Sequence, residues 1–373
     1  RMTVSLCMIA RDEEASIGTA IKSVLALVDE VIVVYTGSRD NTRIIAEGYG
    51  ARVVETPWLD DFAAARNVGL AEAVCDWILV LDADETLQPF RPVEFQRLLH
   101  EPRAAGYRVQ VVSPRVEAAP EGRRQLRLFR NGPDIRYRFP IHEQVSPAVE
   151  ERARACDQTI LESDLAILHE GHTPERHLRR RDRNQRVLRK AVAAHPDEPY
   201  FPYRLGCEGM SLLDEEVLPV AGLEEALGRL QTAWRLVETL DRHERQCLNW
   251  YADLGVRIVS GLLALDRVDE AREVVTVLRD LLPDHPLVVL HAVAADLRHL
   301  DERGDDLASP VAVRLVTHAR EELLRLRAGL LAGAAEAVDS RVRDLYPLRY
   351  LGELALLEGR VTEAAERFEQ ALE

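Results

Sequence analysis

No apolar run in this chain approaches the roughly 18 residues that a membrane-spanning helix needs, and nothing near its start reads as a secretory signal. A transmembrane role is excluded on that ground; docking on a surface is not. Cysteine is scarce. Cys7, Cys75, Cys156, Cys207 and Cys247 are odd in number and widely spaced, and no two form a CxxC pair. A structural zinc site therefore has no ligand pattern. Reduced thiols in a cytoplasmic protein are the expectation. Positive charge is short as well. The chain has 48 Lys and Arg against 63 Asp and Glu, a net charge of −15. Nucleic acid binding needs a cationic footprint, so no nucleic-acid partner is expected. A local basic pocket for a nucleotide remains compatible with this balance.

What the chain does have is length and apolar content: 373 residues, 47% of them hydrophobic, enough for two or three domains with sizeable cores. Its first half alternates two periodicities. Residues 3–9, 31–34, 52–54 and 77–81 are apolar runs of strand length. Between them, residues 15–27 carry helical spacing through Ile17, Ile21, Val24 and Leu25. A second helix runs through Ile44, Ile45 and Ala46 with Asp40 able to cap it, and a third covers residues 61–74. The order β-α-β-α-β-α-β predicts a mostly parallel sheet with right-handed crossovers. After Pro89 the rhythm changes. Residues 107–112, 125–129 and 144–145 read as short strands, and 160–168 as a last strand or extended segment.

From Pro174 onward the signal is helical. Leu351-Gly352, Gly359, Ala364, Phe368 and Ala371 follow the tetratricopeptide spacing. Ala271, Val275, Leu278 and Pro283 fit the second helix of such a repeat and its terminal proline. Leu205-Gly206 with Ala226, Leu230 and Ala233 fits when about eight residues are inserted between the helices. Small residues at these positions let paired helices approach. An ordinary helical bundle is the alternative; three partial matches favour an array. The expected division is an α/β domain over 1–173 and an all-α repeat domain over 174–373.

The chemistry gathers at strand ends. Asp82-Ala83-Asp84 closes the fourth apolar run and Glu85 follows. Ligands of open α/β sheets collect outside the carboxyl ends of strands, and two hard oxygen donors there can hold Mg²⁺ or Mn²⁺ against a diphosphate. A solvated strand-to-loop transition is the plainer account. Three more segments stand with it: Ala10-Arg11-Asp12-Glu13-Glu14 after the first strand, Tyr35-Thr36-Gly37-Ser38-Arg39-Asp40-Asn41-Thr42 after the second, and Phe62-Ala63-Ala64-Ala65-Arg66-Asn67 before the fourth. In this order the four resemble family 2 glycosyltransferases of the GT-A fold. The resemblance is greatest to the subgroup with C-terminal tetratricopeptide repeats, which includes peptide S- and O-glycosyltransferases similar to the sublancin enzyme. It is carried by residues 2–90 and, more weakly, 125–190. The helical tail shares architecture more than residues.

The resemblance implies a Rossmann-like nucleotide-diphospho-sugar transferase domain, a nucleoside diphosphate sugar donor, and Mn²⁺ or Mg²⁺ as cofactor. Ala10, Arg11, Glu13, Tyr35, Gly37, Arg66, Asp82 and Ala83 would line the donor pocket. Asp84 would ligate the metal that neutralises the departing diphosphate. A guanidinium fork suits phosphate oxygens, which is the role implied for Arg66; a helix-surface arginine is the alternative. One departure concerns the nucleotide base. The family usually has Asp where this chain has Tyr35, and a tyrosine can stack on a base or bond to it but cannot accept as a carboxylate does.

Downstream, Phe139-Pro140-Ile141-His142-Glu143 resembles the subgroup's His-Glu motif, and Glu143 is the candidate base of an inverting transfer. The alternative for Glu143 is an ion pair with Arg127, Arg130 or Arg138. Leu168-His169-Glu170-Gly171-His172 follows the last strand. Imidazole is a plausible Mn²⁺ ligand beside carboxylates, so His169 is the second metal-ligand candidate, with Asp82 and His142 as alternates. Arg176, Arg179, Arg180, Arg181, Arg183, Arg186 and Arg189 read first as a solvated helix face, and second as a surface that steers an anionic acceptor or closes over a diphosphate.

Three functional classes follow. The first is a metal-dependent inverting glycosyltransferase acting on a peptide, protein or natural product, or on an envelope glycan or lipid-linked saccharide. The second is a transferase-like scaffold that binds partners through its repeats. The third, nucleotidyl transfer, usually needs a Gly-rich basic loop after the first strand; here that loop is acidic. A homodimer through the helical repeats is left open.

Overall fold

The apolar runs of the first half become strands buried on both faces. Val4, Leu6, Met8 and Ala10 of β1 (Val4–Ala10) enter one core with Val31, Val33, Trp77 and Leu79. Cys7 enters a second core with Ile32, Ile78 and Val80. A strand packed on both sides has no reason to alternate with polar residues, which is why these segments read as continuous runs. The structure, a computed structural model, describes residues 1–112, 123–169, 174–210, 220–303, 309–331, 342 and 345–372. It divides into two compact units, Arg1–Val187 and Leu188–Glu373.

In the first unit, β1 is followed by α1 (Ile17–Lys22), β2 (Glu30–Tyr35), α2 (Thr42–Gly48), β3 (Arg52–Glu55), α3 (Phe62–Glu72) and β4 (Trp77–Val80). Then come β5 (Glu85–Leu87), α4 (Pro92–Leu99), β6 (Ala104–Val112), β7 (Arg123–Arg130), α5 (Ser146–Ala155), β8 (Thr159–His169) and α6 (Pro174–Ala194). One eight-stranded sheet has the order β3-β2-β1-β4-β7-β6-β8-β5. Its β3-β2-β1-β4 half is parallel, and β7 joins β4 antiparallel, so the sheet is mixed beyond that point. The division between units falls within α6.

Several local expectations change. The helix expected over 15–27 is regular only over Ile17–Lys22. Beyond it the chain tightens into turns, with Val24 bonding to Ile21 and Leu27 to Val24 three residues back, because Asp29 must turn to cap the Val4 N–H. Residues 144–145 make a single bridge, Arg138 to Gln144, rather than a strand. Ser146-Pro147 instead starts α5, where Pro in the first turn loses nothing.

The second unit is helical: α7 (Tyr200–Met210), α8 (Val220–Glu238), α9 (Arg242–Cys247), α10 (Tyr251–Ala264), α11 (Val268–Leu281), α12 (Pro286–Arg303), α13 (Pro310–Leu331), α14 (Tyr346–Leu357) and α15 (Val361–Leu372). Three helix pairs share one packing device. A Cβ on Gly206 of α7 would lie 2.6 Å from Leu230 of α8; on Gly255 of α10, 2.6 Å from Leu278 of α11; on Gly352 of α14, 2.7 Å from the Phe368 ring of α15. Each glycine is the gap that a large side chain of the following helix fills, as the repeat spacing requires. We expect Gly352→Leu to destabilise this unit by about 1–3 kcal/mol through overpacking. Calorimetry should show a lowered transition for the repeats and an unchanged one for the sheet unit. Among the described residues, no helix is long and apolar enough to cross a membrane.

Candidate active site

The carboxyl ends of β1, β2 and β4 lie side by side: Ala10 pairs in register with Tyr35, and the β1–β4 pairing runs through Cys7 and Val80. The loops leaving β1 and β2 then bind each other. The Asp12 N–H donates to Ser38 Oγ at 2.9 Å, the Arg39 N–H to Asp12 Oδ1 at 2.7 Å, the Glu13 N–H to Thr42 Oγ1 at 2.8 Å and the Glu14 N–H to Asp40 Oδ2 at 3.0 Å. Asp12 has a φ of 55° and Gly37 a φ of 91°. Gly37 has open space around it, so its need for glycine is conformational. The Tyr35 hydroxyl closes the turn by donating to Ser38 O at 2.8 Å. Arg11 is exposed, 3.9 Å from the equally exposed Asp12 carboxylate.

At the end of β4 the chain turns so that Ala83 enters the core, Asp82 is half-buried and Asp84 is buried. The turn is closed by the Glu85 N–H to Asp82 O at 3.0 Å, and by the Asp82 N–H to Glu85 Oε2 at 2.9 Å. Glu85 is only 1% exposed. It is affordable there because Arg127 Nη2 donates to its Oε1 at 2.7 Å and His169 Nδ1 lies 3.5 Å away, across the β5–β8 register. This buried glutamate organises the turn, and sequence reading passed over it. An acid immediately after two acids looks solvated until the antiparallel β5–β8 pair is known.

Arg66, on α3 and 10% exposed, bridges two carboxylates: Nη2 to Asp82 Oδ1 at 2.7 Å and Nε to Glu143 Oε1 at 2.6 Å. Arg127 stands 3.6 Å from Asp82 Oδ2. Burial works to raise the Asp82 carboxyl, but Arg66 and Arg127 outweigh it and hold it well below the usual carboxylate range. Burial pushes the neighbouring Tyr137 phenol, which lies under Arg66 at 5.5 Å, up to about 12. Asn67 clamps the Tyr137 backbone through both amide atoms, at 2.8 and 3.0 Å, and the Phe62 N–H donates to Pro140 O at 2.8 Å. Thus the start of α3 fixes the segment that carries Glu143.

Asp84 is 7% exposed. Its Oδ2 pairs with Arg180 Nη2 and lies 3.7 Å from His169 Nε2. The hydrogen bond with Glu85 raises the His169 pKa. Among the described residues no group of three or more His, Cys, Asp or Glu side chains is disposed around one metal position. Asp84 and His169 supply one oxygen and one nitrogen facing each other. Both Asp82 oxygens face guanidinium groups. His142, with a φ of 51°, belongs to the Glu143 loop. Glu170, Gly171 and His172 lie outside the described residues. A carboxylate and an imidazole fit a cation that completes its shell with diphosphate oxygens and water.

A parallel half-sheet with an acidic carboxyl edge, continued by a mixed half, gives the first unit the architecture of the open α/β class, in which ligands gather outside the carboxyl ends of the strands. More narrowly, residues 5–150 match the model of Glycosyl transferase family 2, which marks a domain of that type at the N-terminus. A tetratricopeptide-repeat-containing protein of Synechococcus elongatus is 40% identical over 208 residues, covering 54% of this chain and 51% of the relative. An uncharacterized glycosyltransferase of Rickettsia bellii is 48% identical over 86 residues, 22% of this chain and 28% of the relative. The chain thus spans about half the length of the first relative and under a third of the second. Among solved structures, it is similar to glucosyl-3-phosphoglycerate synthase from Mycobacterium tuberculosis in complex with Mn²⁺, UDP and glucosyl-3-phosphoglycerate. That match is 20% identical over 47% of this chain and 74% of the other, with a TM-score of 0.38.

Proposed function

We propose that this chain is a metal-dependent, inverting glycosyltransferase. It moves a sugar from a nucleoside diphosphate donor, a UDP-sugar first among them, to a peptide, protein or natural-product acceptor, in the cytoplasm. The observation that carries the reading is the cluster at the end of β4, in which Arg66 joins Asp82 to Glu143, Arg127 joins Asp82 to Glu85, and Asp84 faces His169. Asp84 and His169 would hold Mn²⁺ or Mg²⁺, which supplies charge neutralisation to the departing diphosphate when bound. Glu143 takes the proton of the acceptor nucleophile. Arg66 orients Glu143 and, with Arg127, keeps Asp82 ionised. Tyr35 has committed its hydroxyl proton to Ser38, so it recognises the base by the face of its ring rather than by donating.

The test is a screen of nucleotide sugars for metal-dependent hydrolysis, read by mass spectrometry. UDP-sugars should turn over with Mn²⁺ or Mg²⁺ and not with chelator. Failure of every nucleotide sugar in the presence of metal, together with absent UDP binding, would favour the scaffold instead.

A further inference from the structure

Helix α6 sets arginines against the site at three-residue intervals. Arg180, Arg183 and Arg186 share one face of the helix. Arg180 pairs with Asp84 Oδ2. The Arg183 guanidinium lies 4.7 Å over the Phe62 ring, and Arg186 Nη2 donates to Asp60 Oδ1 at 3.1 Å. Those two seats are themselves braced. Trp58 meets Phe62 edge-on at 4.7 Å, and its indole N–H donates to Asp60 Oδ1 at 2.9 Å. The helix is therefore held at two points that do not involve Arg180.

The Arg180 contact falls on Asp84 Oδ2, the oxygen that lies 3.7 Å from His169 Nε2. The charges around it are informative. Asp82, Asp84, Glu85 and Glu143 are four carboxylates; Arg66, Arg127 and Arg180 are three guanidiniums. Withdrawing Arg180 leaves Asp84 without its guanidinium partner, a positive charge that a bound cation would replace. Asp84 is too buried to stand unpaired at small cost. The Arg180 side chain is 31% exposed, so it has room to move.

We infer that Arg180 is a placeholder cation: it neutralises Asp84 until a divalent metal arrives with the donor, then swings to the donor's diphosphate. This rests on the proposed transferase function. The guanidinium fork that fits a carboxylate fits phosphate oxygens equally well. Arg183 and Arg186 keep α6 in place while the one side chain changes partner. The consequence is coupled binding. Metal alone must compete with Arg180, whereas metal together with a diphosphate gives Arg180 a new partner, so each ligand strengthens the other.

The test is Mn²⁺ binding to the full chain, by calorimetry and by the loss of the free-ion electron paramagnetic resonance signal, with and without UDP. Arg180→Ala should bind Mn²⁺ alone about tenfold tighter than wild type, and the gain in Mn²⁺ affinity that UDP confers should shrink about tenfold. Arg180→Lys should stay close to wild type toward Mn²⁺ alone. If Arg180→Ala does not fold, Arg180→Gln, which removes the charge but keeps a donor, is read the same way. Equal Mn²⁺ affinity in wild type and Arg180→Ala, with UDP strengthening both equally, would overturn the placeholder role and leave the metal site standing. Absence of Mn²⁺ binding in every variant, with or without UDP, would overturn both.

Discussion

Asp84→Asn should lower metal-dependent donor turnover by about a thousandfold and leave the fold intact. A bound cation contributes several kcal/mol to a transition state that builds charge on a leaving group, and each 1.36 kcal/mol is a factor of ten; losing about 4 kcal/mol gives that magnitude. Asn keeps the shape of Asp84 but not its charge, and a neutral amide oxygen beside His169 is a poor ligand for a hard cation. The fold should tolerate the change. Arg180, the ion-pair partner of Asp84, is partly exposed and can return to water, so the pair's loss costs little. The turn itself is held by Glu85 and the Asp82 backbone. Donor hydrolysis across a Mn²⁺ titration, with a melting curve for each variant, checks the claim. Wild-type turnover in Asp84→Asn would remove Asp84 from the metal site.

The parallel half of the sheet was legible because its strands are apolar on both faces and separated by helical periodicity. That pattern needs no knowledge of partners. The edge residues Asp82 and Asp84 were legible for the same reason, since a strand end can be read from where a run stops. What could not be read is everything that depends on long-range pairing. Arg66 and Glu143 are 77 residues apart and meet only because Asn67 and Phe62 pin the 137–140 segment to α3. Glu143 was expected to choose among Arg127, Arg130 and Arg138 if it paired at all; its partner is Arg66. Arg127 lies on β7, where one face of the strand looks no different from the other until β4 pairs with it antiparallel. There it holds Glu85, which sequence patterning reads as solvated. Arg180 had one local signal, its three-residue spacing from Arg183 and Arg186, but a basic helix face is ordinarily surface. In the repeats, the Gly352–Phe368 contact follows the repeat spacing directly. The Gly255–Leu278 contact was hidden because only the second helix of that pair had been matched.

Glu143→Gln should lower sugar transfer to an acceptor about 10²–10⁴-fold, the usual worth of a positioned general base, while donor binding and metal-dependent donor hydrolysis persist. The separation follows from how the residue is held. Its loop carries positive φ at Phe139 (73°) and His142 (51°), a conformation that persists only when the surroundings enforce it. The enforcement does not come from the carboxylate. Arg138 and Gln144 exchange backbone hydrogen bonds at 2.9 Å in both directions, Phe62 holds Pro140, and Asn67 holds Tyr137. The amide oxygen of glutamine can still accept from Arg66 Nε, and Arg66 keeps Asp82 as its ionic partner. What disappears is only the ability to take a proton, because a neutral amide has no basic oxygen at neutral pH. A structural role for Glu143 would behave differently. The variant would then lose thermal stability and donor affinity together, and Glu143→Asp, which keeps the charge on a shorter stem, would resemble it. A base role predicts that Glu143→Gln loses transfer while its melting temperature and donor affinity stay at wild-type values. If Glu143→Gln transfers sugar at the wild-type rate, Glu143 is an ion-pair partner of Arg66 and the proton goes elsewhere.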